Sequence, residues 1–169
     1  MPTLQDIARI IPGYAGYIDR EKRRDTDKLL REQLASQFGA EQDGLTRLAQ
    51  QVAADGKIEY SGKIETIQQG LNRFIARLQT APRGYTGWWE VTQIKKEDLD
   101  QLYQYDMNLA NGVQQLRDAV GKASAALGSD GFDAALRSLR DFADNLNRQL
   151  DARTSLTGQG KQPTEVTKK

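Results

Sequence analysis

The chain contains no cysteine and no histidine among its 169 residues. Without cysteine it cannot form disulfides, thiolate nucleophiles or zinc ribbons. Without histidine it lacks the commonest general base and the imidazole metal ligand. A Walker loop, a dinucleotide-binding glycine fingerprint and a Gly-x-Ser-x-Gly elbow are missing as well. We therefore expect a non-enzymatic protein with no metal and no cofactor.

A surplus of charge of one sign is also missing. The 24 basic side chains face 23 acidic ones, for a net charge of +1. This balance is untypical of nucleic-acid-binding proteins, so no nucleic-acid partner is expected. No apolar run approaches the ~20 residues that span a bilayer, and the first twelve residues are too polar for a secretory signal. These features predict a cytoplasmic protein.

The feature that dominates the sequence is helical periodicity. Apolar residues recur at steps of three and four, the spacing of a helix with one buried face and of left-handed bundles. We predict an all-α fold, an elongated antiparallel helical bundle of four to five helices with two aromatic loops. The predicted segments are 3–11, 19–38, 41–54, 61–78, 99–127 and 132–150, with Gly39 ending the second and Ser61 capping the fourth.

The end of the sequence loses this periodicity and fills with Gly, Thr, Lys and Pro. Such a composition cannot bury enough apolar surface to order itself. We therefore predict one helical bundle domain over residues 1–151 and a disordered tail over residues 152–169.

Two loops hold five of the twelve aromatic residues. Each pairs two glycines with aromatic rings: Gly13-Tyr14-Ala15-Gly16-Tyr17 and Gly84-Tyr85-Thr86-Gly87-Trp88, the latter followed by Trp89. Two interpretations stay open. The rings either fold back as a lid on one end of the bundle or form an exposed binding platform, since Trp and Tyr are common interface anchors.

Residues 19–32 hold the densest charge, with 11 ionisable side chains out of 14. Spacings of four residues predict the helical ion pairs Arg23–Asp27, Asp27–Arg31 and Lys28–Glu32. The segment is either a solvated, ion-paired face or a docking surface for an acidic partner. The arginines available for docking are Arg20, Arg23, Arg24 and Arg31.

Asp106 stands in an otherwise aliphatic seam. An unpaired buried charge costs several kcal/mol, so we expect Asp106 to be paired. The candidate partners are an arginine, a tyrosine hydroxyl and the indole of Trp88 or Trp89. The alternative role of a general acid or base lacks a second catalytic group.

The opening Ile11-Pro12-Gly13-Tyr14-Ala15-Gly16-Tyr17, followed by Arg23, Arg24, Asp27 and Leu30, resembles small bacterial helical proteins of unknown function. Their start reads Ile/Leu-Pro-Gly-Tyr-x-Gly-Tyr and leads into an Arg-Arg-x-x-Asp-x-x-Leu helix. The block GYTGWWEVTQIKKEDLDQLYQYD is similar to their second region. The resemblance implies a bacterial helical protein and brings no active site.

Together these features favour a protein–protein interaction or scaffold protein of the bacterial cytoplasm. The residues expected to bind the partner are Tyr14, Tyr17, Arg20, Arg23, Arg24, Tyr85, Trp88 and Trp89. The long seams also allow a homodimer or coiled-coil pairing between copies. The alternative is a peripheral membrane-associated regulatory module, with residues 3–11 lying weakly in the interface.

Overall fold

The structure, a computed structural model, describes residues 1–80 and 87–157. Over these ranges it has five α-helices, three short 3-10 helices and no strand, which confirms the all-α prediction. The helices are α1 (Leu4–Ile10), α2 (Arg23–Ala54), α3 (Ser61–Gln79), α4 (Lys96–Ala126) and α5 (Phe132–Thr157). No helix in this part of the chain combines the length and apolar character that crossing a membrane requires.

Helices α2 to α5 form two antiparallel hairpins, α2 with α3 and α4 with α5, and each hairpin buries an apolar seam against the other. The hairpins associate with α2 beside α4 and α3 beside α5. Across α2 and α4, Glu41 pairs with Arg117 and Gly44 lies against Val120, so residue numbers rise together along both helices. The two helices are therefore parallel neighbours.

The other pair of neighbours, α3 and α5, is also parallel. Lys63 forms an ion pair with Asp133 near the beginning of both helices, and Arg77 pairs with Asp151 near their ends. Helix α3 consequently ends diagonally opposite the start of α4. The connection between them crosses one end of the bundle, where it buries Trp88 and Ile94.

Helix α1 begins with a capping box, in which Thr3 and Asp6 satisfy each other's backbone N–H groups. Its apolar face packs on α4, and Ile7 is fully buried there. Side chains of α2 hold the end of α1, because Gln33 and Gln37 donate to the carbonyls of Pro12 and Ile10 at 2.8 and 3.4 Å. Binding to a membrane through this face would require α1 to leave α4.

The predicted break at Gly39 is wrong. Helix α2 runs without interruption for 32 residues, so the two segments predicted over 19–38 and 41–54 are one helix. Gly39 is not among the glycines with positive φ, and a Cβ added to it would meet nothing within 4 Å. Gly39 therefore does not end the helix as a left-handed glycine would.

Two other predicted boundaries also differ. Ser61 is the first residue of α3 rather than its cap, and the residue before it makes no side-chain capping bond. Helix α5 continues six residues past the predicted boundary at 151, because Arg153 and Thr157 are buried at the core positions that follow Leu146 and Leu150. Residues 158–169 of the predicted tail lie outside the described residues.

Continuity of α2 predicts opposite effects for two glycine substitutions. Gly39→Ala raises the free energy of unfolding by about 0.5–1 kcal/mol, because alanine favours a helix interior. Gly56→Ala lowers it by about 1 kcal/mol, because Gly56 has φ +70°. Urea denaturation of both variants checks the pair. A loss of stability in Gly39→Ala would show that the helix ends there.

Candidate functional site

Four of the five aromatic residues predicted in the two loops come together at the end of the bundle that the α3–α4 connection crosses. Tyr17 stacks on Trp89 with ring centroids 5.5 Å apart, and Trp89 meets Trp88 edge to face at 5.0 Å. Tyr14 meets Tyr17 edge to face at 5.8 Å. Tyr85 lies outside the described residues. We call Tyr14, Tyr17, Trp88 and Trp89 the aromatic lid.

The aromatic lid is part of the core. Tyr17 and Trp88 are 0% exposed, Tyr14 is 3% exposed and Trp89 is half-buried. The interpretation of these rings as an exposed binding platform is therefore wrong for Tyr14, Tyr17 and Trp88. Each ring buries on the order of 150–250 Å², which makes the lid a large part of the apolar contact at this end.

Arg23 joins the two loops of the lid. Its guanidinium donates to the backbone carbonyls of Tyr17 at 2.7 Å, Val91 at 2.6 Å and Trp89 at 3.3 Å. The side chain is 1% exposed and burial lowers its pKa. Arg23 does not form the predicted pair with Asp27, because its donors hold the carbonyls of both loops in place.

The other charged residues of 19–32 divide between surface and core. Arg20 and Arg24 are exposed, and Arg24 Nε donates to Glu90 at 3.0 Å. The predicted pairs Asp27–Arg31 and Lys28–Glu32 form at 3.0 and 3.8 Å. Asp27 and Arg31 are nevertheless buried, so the interpretation of the whole segment as a solvated face is wrong.

Beneath the lid, Asp106 is fully buried and accepts three hydrogen bonds. The hydroxyls of Tyr14 and Tyr17 donate to Asp106 Oδ2 at 2.6 and 2.5 Å, and Arg153 Nε donates to Oδ1 at 2.7 Å. The prediction that Asp106 bonds to an arginine or to a tyrosine hydroxyl is confirmed. The indole of Trp88 is not a partner, and its Nε1 has no acceptor among the described residues.

Arg153 connects this carboxylate to a second one. Its Nη1 lies 2.8 Å from Asp27 Oδ1, and its Nη2 donates to the Tyr17 hydroxyl at 3.0 Å. Arg31 forms an ion pair with Asp27 at 3.0 Å and donates a hydrogen bond to the carbonyl of Leu78 at 3.2 Å. The resulting buried layer balances two carboxylates with two guanidinium groups. We call Asp27, Arg31, Asp106 and Arg153 the charged layer.

Burial and pairing shift the pKa values of these groups in different directions. Burial raises the pKa of Asp106, while Arg153 and the two tyrosines oppose that shift. Burial alone would lower the pKa of Arg153, but Asp106 and Asp27 outweigh it and raise the pKa well above its usual value. Burial and the Asp106 charge raise the pKa values of Tyr14 and Tyr17 far above 10.

The chemistry of the charged layer is therefore structural in this conformation. Asp106 is enclosed, so a substrate atom cannot reach its carboxylate. In the part of the chain that the structure describes, no group of acidic residues lies close enough to hold a metal ion. What the layer can do is fix the helices in one register, as buried polar groups do in coiled coils.

A surface that the sequence analysis missed lies between the parallel helices α2 and α4. It is a groove between residues 37–51 and residues 110–127, which we call the α2/α4 groove. Two open cavities of about 540 and 370 Å³ follow one another along it, separated by the Glu41–Arg117 ion pair at 2.6 Å. Arg9 and Ile10 at the end of α1 line the first cavity.

The α2/α4 groove has an apolar floor and basic edges. Val113 and Val120 in its floor keep 8% and 7% of their surface exposed. Arg9, Arg47 and Arg117 line it against one acidic residue, Glu41. A groove of this kind accommodates an amphipathic segment. The groove is created by the parallel packing of two segments that are distant in the sequence. No local sequence pattern therefore predicts the groove.

Comparison of the chain with protein-family models, with curated proteins and with solved structures finds no match.

The buried tyrosines predict a loss of stability at alkaline pH. Above about pH 10 the unfolded chain ionises Tyr14 and Tyr17, while the folded protein keeps them protonated. Each then lowers the free energy of unfolding by about 1.4 kcal/mol per pH unit. Urea denaturation from pH 9 to 12 measures the slope, and Tyr14→Phe/Tyr17→Phe flattens it by about 2.7 kcal/mol per unit. An unchanged slope in that variant would contradict the assignment.

Proposed function

We propose that this chain is a non-enzymatic protein-interaction or scaffold module of the bacterial cytoplasm, and that its partner binds in the α2/α4 groove. The observation that supports this proposal is a groove that stays open where α1 ends. Its apolar floor and small lining residues, such as Ala40 and Gly121, allow close approach. Such concave, partly apolar surfaces are typical of binding sites for another protein segment.

The burial of the lid changes which residues are proposed to bind the partner. Tyr14, Tyr17, Trp88 and Arg23 hold the end of the bundle together, so they support the groove by keeping α2 and α4 in register. Arg20 and Arg24 remain on the surface at that end. They form a separate candidate surface, although Arg24 already pairs with Glu90.

A lysate capture experiment with matched glycine variants tests the proposal. Gly121 lines the groove and a Cβ added to it meets nothing within 4 Å, so Gly121→Trp fills the groove without disturbing the core. Gly39 is equally unobstructed on α2 but does not line the groove, which makes Gly39→Trp the control. The tagged wild type and the control should capture the same protein, and Gly121→Trp should lose it.

The arginine surface is tested in parallel with Arg20→Ala/Arg24→Ala, and circular dichroism verifies that every variant folds. If the captured protein is lost with this variant and retained by Gly121→Trp, the partner binds the exposed arginines instead of the groove. If the wild type and Gly39→Trp both capture no specific protein, the interaction proposal itself fails.

A further inference from the structure

We propose that the occupant of the α2/α4 groove is an acidic amphipathic α-helix of a partner protein, lying in line with α1. This inference rests on the proposed function and specifies the chemistry of the partner. Three observations support it: helix α1 packs at one end of the groove, the groove is long enough for a helix and has an apolar floor, and its edges are basic.

Helix α1 shows how a helix sits on this face. It is an amphipathic segment whose apolar residue Ile7 is fully buried against α4. Two glutamines of α2 hold carbonyl groups at its end, Gln33 to Pro12 and Gln37 to Ile10. Helix α1 therefore lies over α4 with its end tied to α2, and the groove continues from that end. The surface that would carry a second helix is continuous with an interface that the chain already forms.

The dimensions of the open part fit a helix of several turns. The groove follows α4 from residue 110 to Leu127, the residue directly after the helix, which is about 26 Å at 1.5 Å per residue. A helix of roughly 18 residues has that length. Val113 and Val120, which line the floor of the groove, lie seven residues apart on α4, the heptad spacing at which packed helices repeat their apolar contacts.

The charges of the groove select an acidic helix. Arg47 has no hydrogen-bond or ion-pair partner within residues 1–80 and 87–157, and it lies beside Gly44, where the groove is lined by small residues. Arg117 is already paired with Glu41, and a carboxylate of the occupant would complete its remaining donors. A basic helix would meet Arg47 as an unpaired like charge, with Arg9 and Arg117 paired to Asp6 and Glu41 beside it. Such juxtaposition of like charges disfavours a wrong partner.

A second copy of the chain fits these charges less well. In a two-fold dimer through this face, the same patch meets itself, so the arginines of one copy approach those of the other. An acidic helix from a different protein meets no such repulsion.

The test is a selection with a defined probe. A phage-displayed library of roughly 18-residue helices carries small and apolar residues on one face and randomised Asp, Glu, Lys and Arg on its flanks. It is selected on the full chain, with counter-selection on Gly121→Trp. We expect acidic flanks to be enriched. Arg47→Glu should weaken the selected helix about tenfold or more, which is about 1.4 kcal/mol, while Arg73→Glu on the exposed face of α3 should leave its affinity unchanged.

Each other outcome overturns the inference in a distinct way. Helices with neutral or basic flanks that bind the wild type but not Gly121→Trp refute the acidic partner and leave the proposed function standing. Failure to enrich any helix over Gly121→Trp refutes a helical occupant, and the lysate capture then decides the proposed function alone. A wild-type dimer that Gly121→Trp dissociates, measured by light scattering, makes a second copy the occupant.

Discussion

The structure depends on one buried cation, Arg153, that pairs with two carboxylates from two other helices. Asp106 on α4 and Asp27 on α2 both lie within 2.8 Å of its guanidinium nitrogens. Removing one partner of a buried ion pair leaves an uncompensated charge, which destabilises the fold by more than the pair itself contributes. These three residues therefore stabilise the fold only when all of them are present. Because they stand on α2, α4 and α5, they fix how the hairpin of α2 and α3 packs against the hairpin of α4 and α5.

The parallel packing of the hairpins has two consequences for the rest of the molecule. It sends the α3–α4 connection diagonally across one end, where Trp88 and Trp89 join Tyr14 and Tyr17 in the aromatic lid. The lid encloses the charged layer, which strengthens its ion pairs by excluding water. The same packing sets α2 and α4 side by side and leaves the α2/α4 groove between them. The lid is thus structural, and the surface proposed for binding is a different one.

Most of the fold could be predicted from the sequence, because the apolar positions of the helices recur at steps of three and four. Asp106 was found by the same pattern, as a charge in an aliphatic row. The sequence does not reveal Arg153 and Thr157 as core residues, because they continue the apolar row of Leu146 and Leu150 with polar side chains, which resembles a loss of periodicity. The sequence wrongly predicts a helix end at Gly39, because glycine has a low helix propensity that tertiary packing overrides. The groove depends on contacts between distant segments, and no single segment contains that information.

The most direct test of the charged layer is a double-mutant cycle between Asp106 and Arg153. Asp106→Asn, Arg153→Met and the double variant are compared with the wild type by urea denaturation at neutral pH. We predict that each single substitution lowers the free energy of unfolding by about 3–5 kcal/mol, because it leaves an uncompensated buried charge. The double variant should lose at least about 2 kcal/mol less than the sum. Additive losses would contradict the account, because they would mean that the two charges do not depend on each other.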